Sequence, residues 1–219
     1  MQGAGYLAIW SDLSPADETD WAHWITREHA AERVGIRGFL ACRIFRALGT
    51  AANRYFILYE LNDENVVGGT DYLARLNAPT PWSQRFRPRG GNFPGGGGRS
   101  EAPAGLGRGG IGAPLPLDAA PALDATAVTA ELSRLDRIVA VRVLLTDAAK
   151  TSIKTSEKGM RGNDGSFAAL VLIEGLDEAA VRAALHQLRT RLPADDQAAI
   201  DTLALYRLAF ILPKRLLPD

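Results

Sequence analysis

The chain has 219 residues, 47% of them hydrophobic, which suffices for a core that folds without external staples. Lysine plus arginine and aspartate plus glutamate both number 25, so no net field favours nucleic acid or an anionic membrane as partner. A single cysteine, Cys42, excludes an internal disulfide and any cysteine-based metal spacing, and it reads as a small buried core residue of a reducing compartment.

In chain order, Tyr6 to Trp10 is short, apolar and β-prone, and it ends at the turn-forming Ser11-Asp12. Ser14-Pro15 followed by Asp17 and Glu18 predicts a helix start, and the helix runs to about Val34 before Gly35 and Gly38 close it. Phe39 to Phe45 and Tyr55 to Leu61 read as two strands turned at Gly49-Thr50, and Asn62-Asp63-Glu64 starts a second helix to about Asn77. Pro79 and Pro81 break that helix, and a strand near Trp82 to Arg87 would complete a βαββαβ order. Residues 88 to 110 hold ten glycines and read as a mobile linker arm.

After the arm the same order returns. Gly112 to Leu117 reads as a strand, Ala122 to Leu135 as a helix and Ile138 to Leu145 as a β-branched strand, followed by a lysine-rich loop from Asp147 to Gly165. Phe167 to Ile173 is a strand, Asp177 to Leu192 an amphipathic helix, and Leu203 to Leu212 the last strand. The expectation is an α+β chain: a ferredoxin-like domain over residues 1–87, the arm over 88–110, and a second such domain over 111–219. Two antiparallel sheets with open faces would bury them on each other as an α/β barrel, within one chain or across a homodimer.

The run Trp21-Ala22-His23-Trp24-Ile25-Thr26-Arg27-Glu28-His29-Ala30-Ala31-Glu32-Arg33, with Gly38-Phe39, Arg43, Tyr55 to Leu61 and Pro79-Thr80-Pro81-Trp82, resembles the dimeric α/β-barrel superfamily near its EthD-like group. The resemblance covers about residues 5 to 87, and the second half matches only in element order. It implies a small-molecule site without choosing a reaction, since members of that superfamily include isomerases, cyclases, monooxygenases and haem proteins.

On helical spacing Trp21, Trp24, Ile25 and Ala31 form an apolar stripe, and Glu28 falls where the stripe continues one turn after Trp24. His29 borders it one turn after Ile25. A carboxylate and an imidazole facing the sheet suit proton transfer; an ion-pair network with Arg33 or Arg43 is the structural alternative, and a metal or haem ligand a further one. Arg43 shares a strand face with Phe39, Ala41 and Phe45, and Tyr59 one with Tyr55 and Ile57; together Arg43 and Tyr59 could hold an oxyanion, or Arg43 could pair with Glu28. Trp21, Trp24 and Trp82 would supply an aromatic wall for a flat substrate, or plain core. The expected catalytic set is thus Glu28, His29, Arg43 and Tyr59. No metal and no cofactor is expected, with haem kept as a minor alternative in which His186 could serve.

His186, between Arg182 and Arg189 on a polar helix face, otherwise reads as solvated, as does His23. Lys150, Lys154, Lys158 and Arg161 read as a solvated basic edge. The N-terminus shows no basic leader before a long apolar run, and no stretch reaches the roughly 18 apolar residues of a spanning helix. The expectation is a cytoplasmic protein that handles a small aromatic or lactone-like organic acid as a proton-shuttling isomerase, cyclase or lyase. A non-catalytic carrier of a hydrophobic intermediate is the alternative.

Overall fold

A computed structural model describes residues 1–49, 54–86, 93–120, 123–160 and 165–217. Thr50, Arg87, residues 88 to 92 of the expected arm, Ala122 and Arg161 therefore lie outside the described residues.

The first half opens with β1 (Gly5–Ser11), α1 (Glu18–Trp24), a π-helical turn (Ile25–His29) and α2 (Ala30–Gly35), continuing into β2 (Phe39–Ala47) and β3 (Tyr55–Leu61). A 3-10 turn (Glu64–Gly68) leads into α3 (Thr70–Asn77), α4 (Pro81–Phe86) and β4 (Gly95–Ala104). The second half runs β5 (Ile111–Leu117), α5 (Ala125–Leu132), β6 (Ile138–Thr146), α6 (Ala148–Thr151), α7 (Ser156–Gly159), β7 (Ala169–Gly175), α8 (Glu178–Arg189), α9 (Ala194–Asp201) and β8 (Tyr206–Pro213).

The strands close into one antiparallel barrel in the order β1-β3-β2-β8-β5-β7-β6-β4. Each half therefore contributes four neighbouring strands, β4-β1-β3-β2 and β8-β5-β7-β6, and the open sheet faces meet inside a single chain. Every residue of β3 and of β7 is buried, because one face looks into the barrel and the other lies under helices. The two halves repeat each other in register. Ala41 lies opposite Glu60 and Arg43 opposite Leu58, as Ala140 lies opposite Glu174 and Arg142 opposite Leu172, and both β2 and β6 carry an irregularity at the same place, Phe39/Ala41 and Ile138/Ala140.

Three expectations are corrected. The glycine-rich segment expected as a mobile arm carries β4 over residues 95–104, paired to β1 on one side and β6 on the other. Its glycines are required by closeness: a Cβ on Gly98 would stand 2.0 Å from the Leu145 carbonyl oxygen. The stretch from Trp82, expected as a strand, is α4: Pro81 sits at a helix start, where its missing N–H costs nothing, and the Ser83 N–H donates to Thr80 Oγ1 (3.0 Å) as to a cap. Finally, the lysine-rich loop contains α6 and α7, each capped by a side chain, Asp147 and Thr155.

The barrel interior is apolar at one end, where Tyr6, Trp10, Phe45, Phe56, Leu144, Phe167, Leu170 and Tyr206 pack together. Elsewhere it is ionic. Arg43 reaches Glu60 (3.0 Å) and Glu174 (2.5 Å), Arg142 reaches Glu174 (3.3 Å), and Arg108 from the β4–β5 connection binds Glu60 (2.6 Å). These buried charges are mutually paired, which is what makes their burial tolerable.

Candidate functional site

Of the residues expected to form a site, Trp24 and His29 are brought together. The π turn inserts one extra residue between helical faces, so His29, five positions on, stacks on the Trp24 ring at 4.3 Å and is 4% exposed. Glu28 is thereby turned aside from the stripe it was expected to continue. It is half-buried and accepts a hydrogen bond from Thr80 Oγ1 (2.6 Å), which ties the start of α4 to the first helix. Trp24 also stacks on Phe86 (5.3 Å) and donates to Ser83 Oγ (3.2 Å), while Trp21 packs on Tyr55 (4.0 Å). Trp82 lies half-buried on α4 beneath the Arg85 guanidinium.

Arg43 and Tyr59 are not brought together. Register sets Arg43 opposite Leu58, so its side chain enters the barrel, while Tyr59 points to the helix side and packs edge-on against Phe39. The irregularity after Phe39 likewise moves that ring to the helix-side core, away from the face of Arg43 and Phe45. Arg43 pairs with Glu60 and Glu174, not with Glu28.

A second polar cluster joins the halves under α2. Arg33, 2% exposed, forms an ion pair with Glu157 of α7, 1% exposed. Glu32 lies 3.5 Å from His29, 3.5 Å from Arg75 and 3.8 Å from Arg33. Burial pushes the Glu32 carboxyl above the usual range, although Arg33 and Arg75 pull the other way.

A cavity lies apart from the first helix. About 520 Å³ in volume, it sits on the outer face of β1 and β4, between α3 and the segment that carries α6 and α7. Its floor is Leu7 and Ile9 of β1 with Gly95 and Gly96 of β4; Tyr72, Leu73 and Leu76 of α3 form one wall, and Phe93 and Phe167 contribute rings. The roof comes from the second half, with Thr151, Ser152 and Ile153 beside Lys150, Lys154 and Lys158. Apolar groups from one half thus face polar and cationic groups from the other, an arrangement suited to holding a small organic molecule in one orientation. None of Glu28, His29, Arg43, Tyr59, Trp21, Trp24 and Trp82 lines it. The lysines had been read as a solvated edge, and no local pattern ties them to a glycine strand some fifty residues earlier in the chain.

The residues present do not fit a histidine-ligated haem. His29 is stacked on Trp24 beside Glu32, His186 is exposed on α8, His23 is half-exposed on α1, and no imidazole reaches the cavity. Among the described residues no group of three histidine, cysteine, aspartate or glutamate side chains could hold a metal ion, and no helix is long and apolar enough to cross a membrane.

No family model and no curated protein matches the chain. Solved structures do match it over nearly its whole length. An anthrone oxidase-like protein is 10% identical with a TM-score of 0.59, covering 98% of this chain and 94% of its own. A proposed monooxygenase of Fusobacterium nucleatum subsp. nucleatum is 12% identical with a TM-score of 0.55, covering 98% and 96%. A proposed chlorite dismutase is 13% identical with a TM-score of 0.51, covering 95% and 96%. At such identities the likeness shows the fold alone, a closed antiparallel barrel with helices outside it.

Proposed function

We propose that the chain is a duplicated ferredoxin-like barrel, EthD-like in its first half, that binds a small, mainly apolar organic molecule in the cavity between α3, the β1–β4 floor and the lysine-bearing roof. The observation that supports it is the cavity itself. It has about 520 Å³ of space, within the usual range for small-molecule sites, and its lysines and hydroxyl-bearing Ser and Thr side chains all come from the second half. Titration with 2-naphthoate and methyl 2-naphthoate, followed by their fluorescence, tests the reading. A saturable signal for one or both is expected, and Leu73→Trp, which fills the cavity from the exposed side of α3, should abolish it without lowering Tm. Absence of saturable binding of both probes to the unaltered protein would end the reading.

A second reading, favoured by the ammonium groups and the Tyr72 phenol facing the same space, is a cofactor-independent enzyme that removes a proton from its ligand and stabilises the resulting oxyanion. An isomerase, a cyclase, a lyase or an oxygenase could share that step. The names of the anthrone oxidase-like and monooxygenase structures lean toward the last. The ammonium groups and the phenol are acids and would hold the oxyanion, while the proton would pass to water, because Glu28 and His29 stand outside the cavity. Deuterium wash-in at an acidic C–H of a bound ligand distinguishes this enzyme from a carrier.

A further inference from the structure

We infer that the cavity's ligand is a flat monoanion whose acid group is received by Lys154; this rests on the cavity being the binding site. Among the described residues the cavity lining contains three lysines and no carboxylate. Two of those ammonium groups are already committed. Lys150 Nζ is 3.1 Å from Asp147 Oδ2 and 3.1 Å from Asn65 Oδ1, and Lys158 Nζ donates to the backbone carbonyls of Thr151 and Ile153. Lys154, exposed between them, makes no hydrogen bond or ion pair among the described residues. An ammonium without a protein partner among the described residues, at the edge of an apolar floor, suits one negative charge on the occupant.

Flatness follows from the floor. Gly95 and Gly96 bring backbone, without side chains, to the cavity surface, and the rings of Phe93 and Phe167 lie at its edge. Gly95 lies opposite Ile9 on the cavity side, and Gly96, opposite Ala8, would direct a Cβ toward the Phe167 ring (2.8 Å). An aromatic or otherwise planar body can lie on it with its acid turned toward the roof. Lys154 is placed for this by the other half: it lies between α6 and α7, and α7 is anchored to α2 through Glu157 and Arg33. A lysine on a clamped segment loses less freedom on meeting an anion than one on a free loop.

The test compares 2-naphthoate with its neutral methyl ester, by fluorescence titration at low salt, on the unaltered protein, Lys154→Gln, Lys154→Arg and Leu73→Trp. The acid should bind at least about fivefold more tightly than the ester. Lys154→Gln should erase that preference while leaving ester affinity unchanged, and Lys154→Arg should keep most of it. Equal affinity for acid and ester would overturn the monoanion while leaving the cavity reading intact. A preference that survives Lys154→Gln would overturn the assignment to Lys154. If neither compound binds the unaltered protein, or if binding survives Leu73→Trp, the cavity reading falls and this inference with it.

Discussion

The imidazole of His29 stacks on the indole of Trp24 across a single π turn, with ring centroids 4.3 Å apart and planes inclined by 22°. They stand five positions apart, where an α-helix would bring together residues three or four apart. The pair is packed under the helix beside Phe86, so its first effect is on stability. His29→Ala should cost about 1–3 kcal/mol in urea denaturation, through lost stacking and an emptied site. Binding at the cavity should stay within about twofold, since His29 does not line it. A collapse in ligand turnover with unchanged denaturation midpoint would instead return His29 to the catalytic role its residue type suggests.

The π turn also shows where sequence reading stops. Hydrophobic periodicity finds nearly every strand and both long helices, because burial on both faces writes continuous apolar runs such as Tyr55 to Leu61. It cannot find one inserted residue in a helix, and that residue exchanges Glu28 for His29 on the buried stripe. Register is equally invisible. Alternation holds within β3 and within β2 from Ala41 onward, while the irregularity after Phe39 turns that ring to the other face, and only the pairing of Arg43 with Leu58 decides that Arg43 and Tyr59 face opposite ways. The strand over Gly95 to Gly98 has the composition of a linker, and it exists because neighbours on both sides satisfy its backbone. Thr80-Pro81 did carry a helix signal, a cap and a first-turn proline, that the prolines as breakers concealed.

Arg33 and Glu157 join residues 124 apart in a nearly solvent-free ion pair. Removing one partner strands the other's charge, so Glu157→Leu should cost about 3–5 kcal/mol, whereas the double change Arg33→Leu/Glu157→Leu should recover much of that loss. Hydrogen exchange in α7 and its flanks should quicken in the single variant, because this contact fastens the cavity roof to α2. Additive losses in the double variant would show that the two side chains do not act as a pair.

Gly98 and Gly110 offer a paired test of why β4 is glycine-rich. An added Cβ at Gly98 would stand 2.0 Å from the Leu145 carbonyl oxygen and 2.9 Å from the Asp147 nitrogen, both backbone atoms that cannot turn away. At Gly110 the same Cβ meets nothing within 4 Å. Gly98→Ala should therefore destabilise by about 2 kcal/mol or more and loosen the β4–β6 seam, while Gly110→Ala should be neutral or slightly stabilising. Thermal melts of both variants decide the matter, and equal Tm values would mean that β4 does not run this close to β6.

Glu60 makes the barrel's interior responsive to acid. Burial alone would push its carboxyl up, but the Arg108 hydrogen bonds and the Arg43 charge outweigh that and hold it below the ordinary glutamate range. The unfolded chain therefore binds a proton at Glu60 more readily than the folded one. Stability from this group is complete above the ordinary glutamate range and is lost as pH falls through the lower folded value. Urea midpoints of the unaltered protein should drop between about pH 5 and pH 3, partly through this residue. Glu60→Gln, which leaves Arg43 and Arg108 short of a counter-charge, should be less stable at neutral pH by about 3–5 kcal/mol and should lose part of that acid dependence. The decisive measurement is the difference between the two proteins as a function of pH. It should shrink as pH falls, because protonation of Glu60 removes the charge that glutamine already lacks, and a difference constant down to pH 3 would mean that Arg43 and Arg108 do not depress this carboxyl.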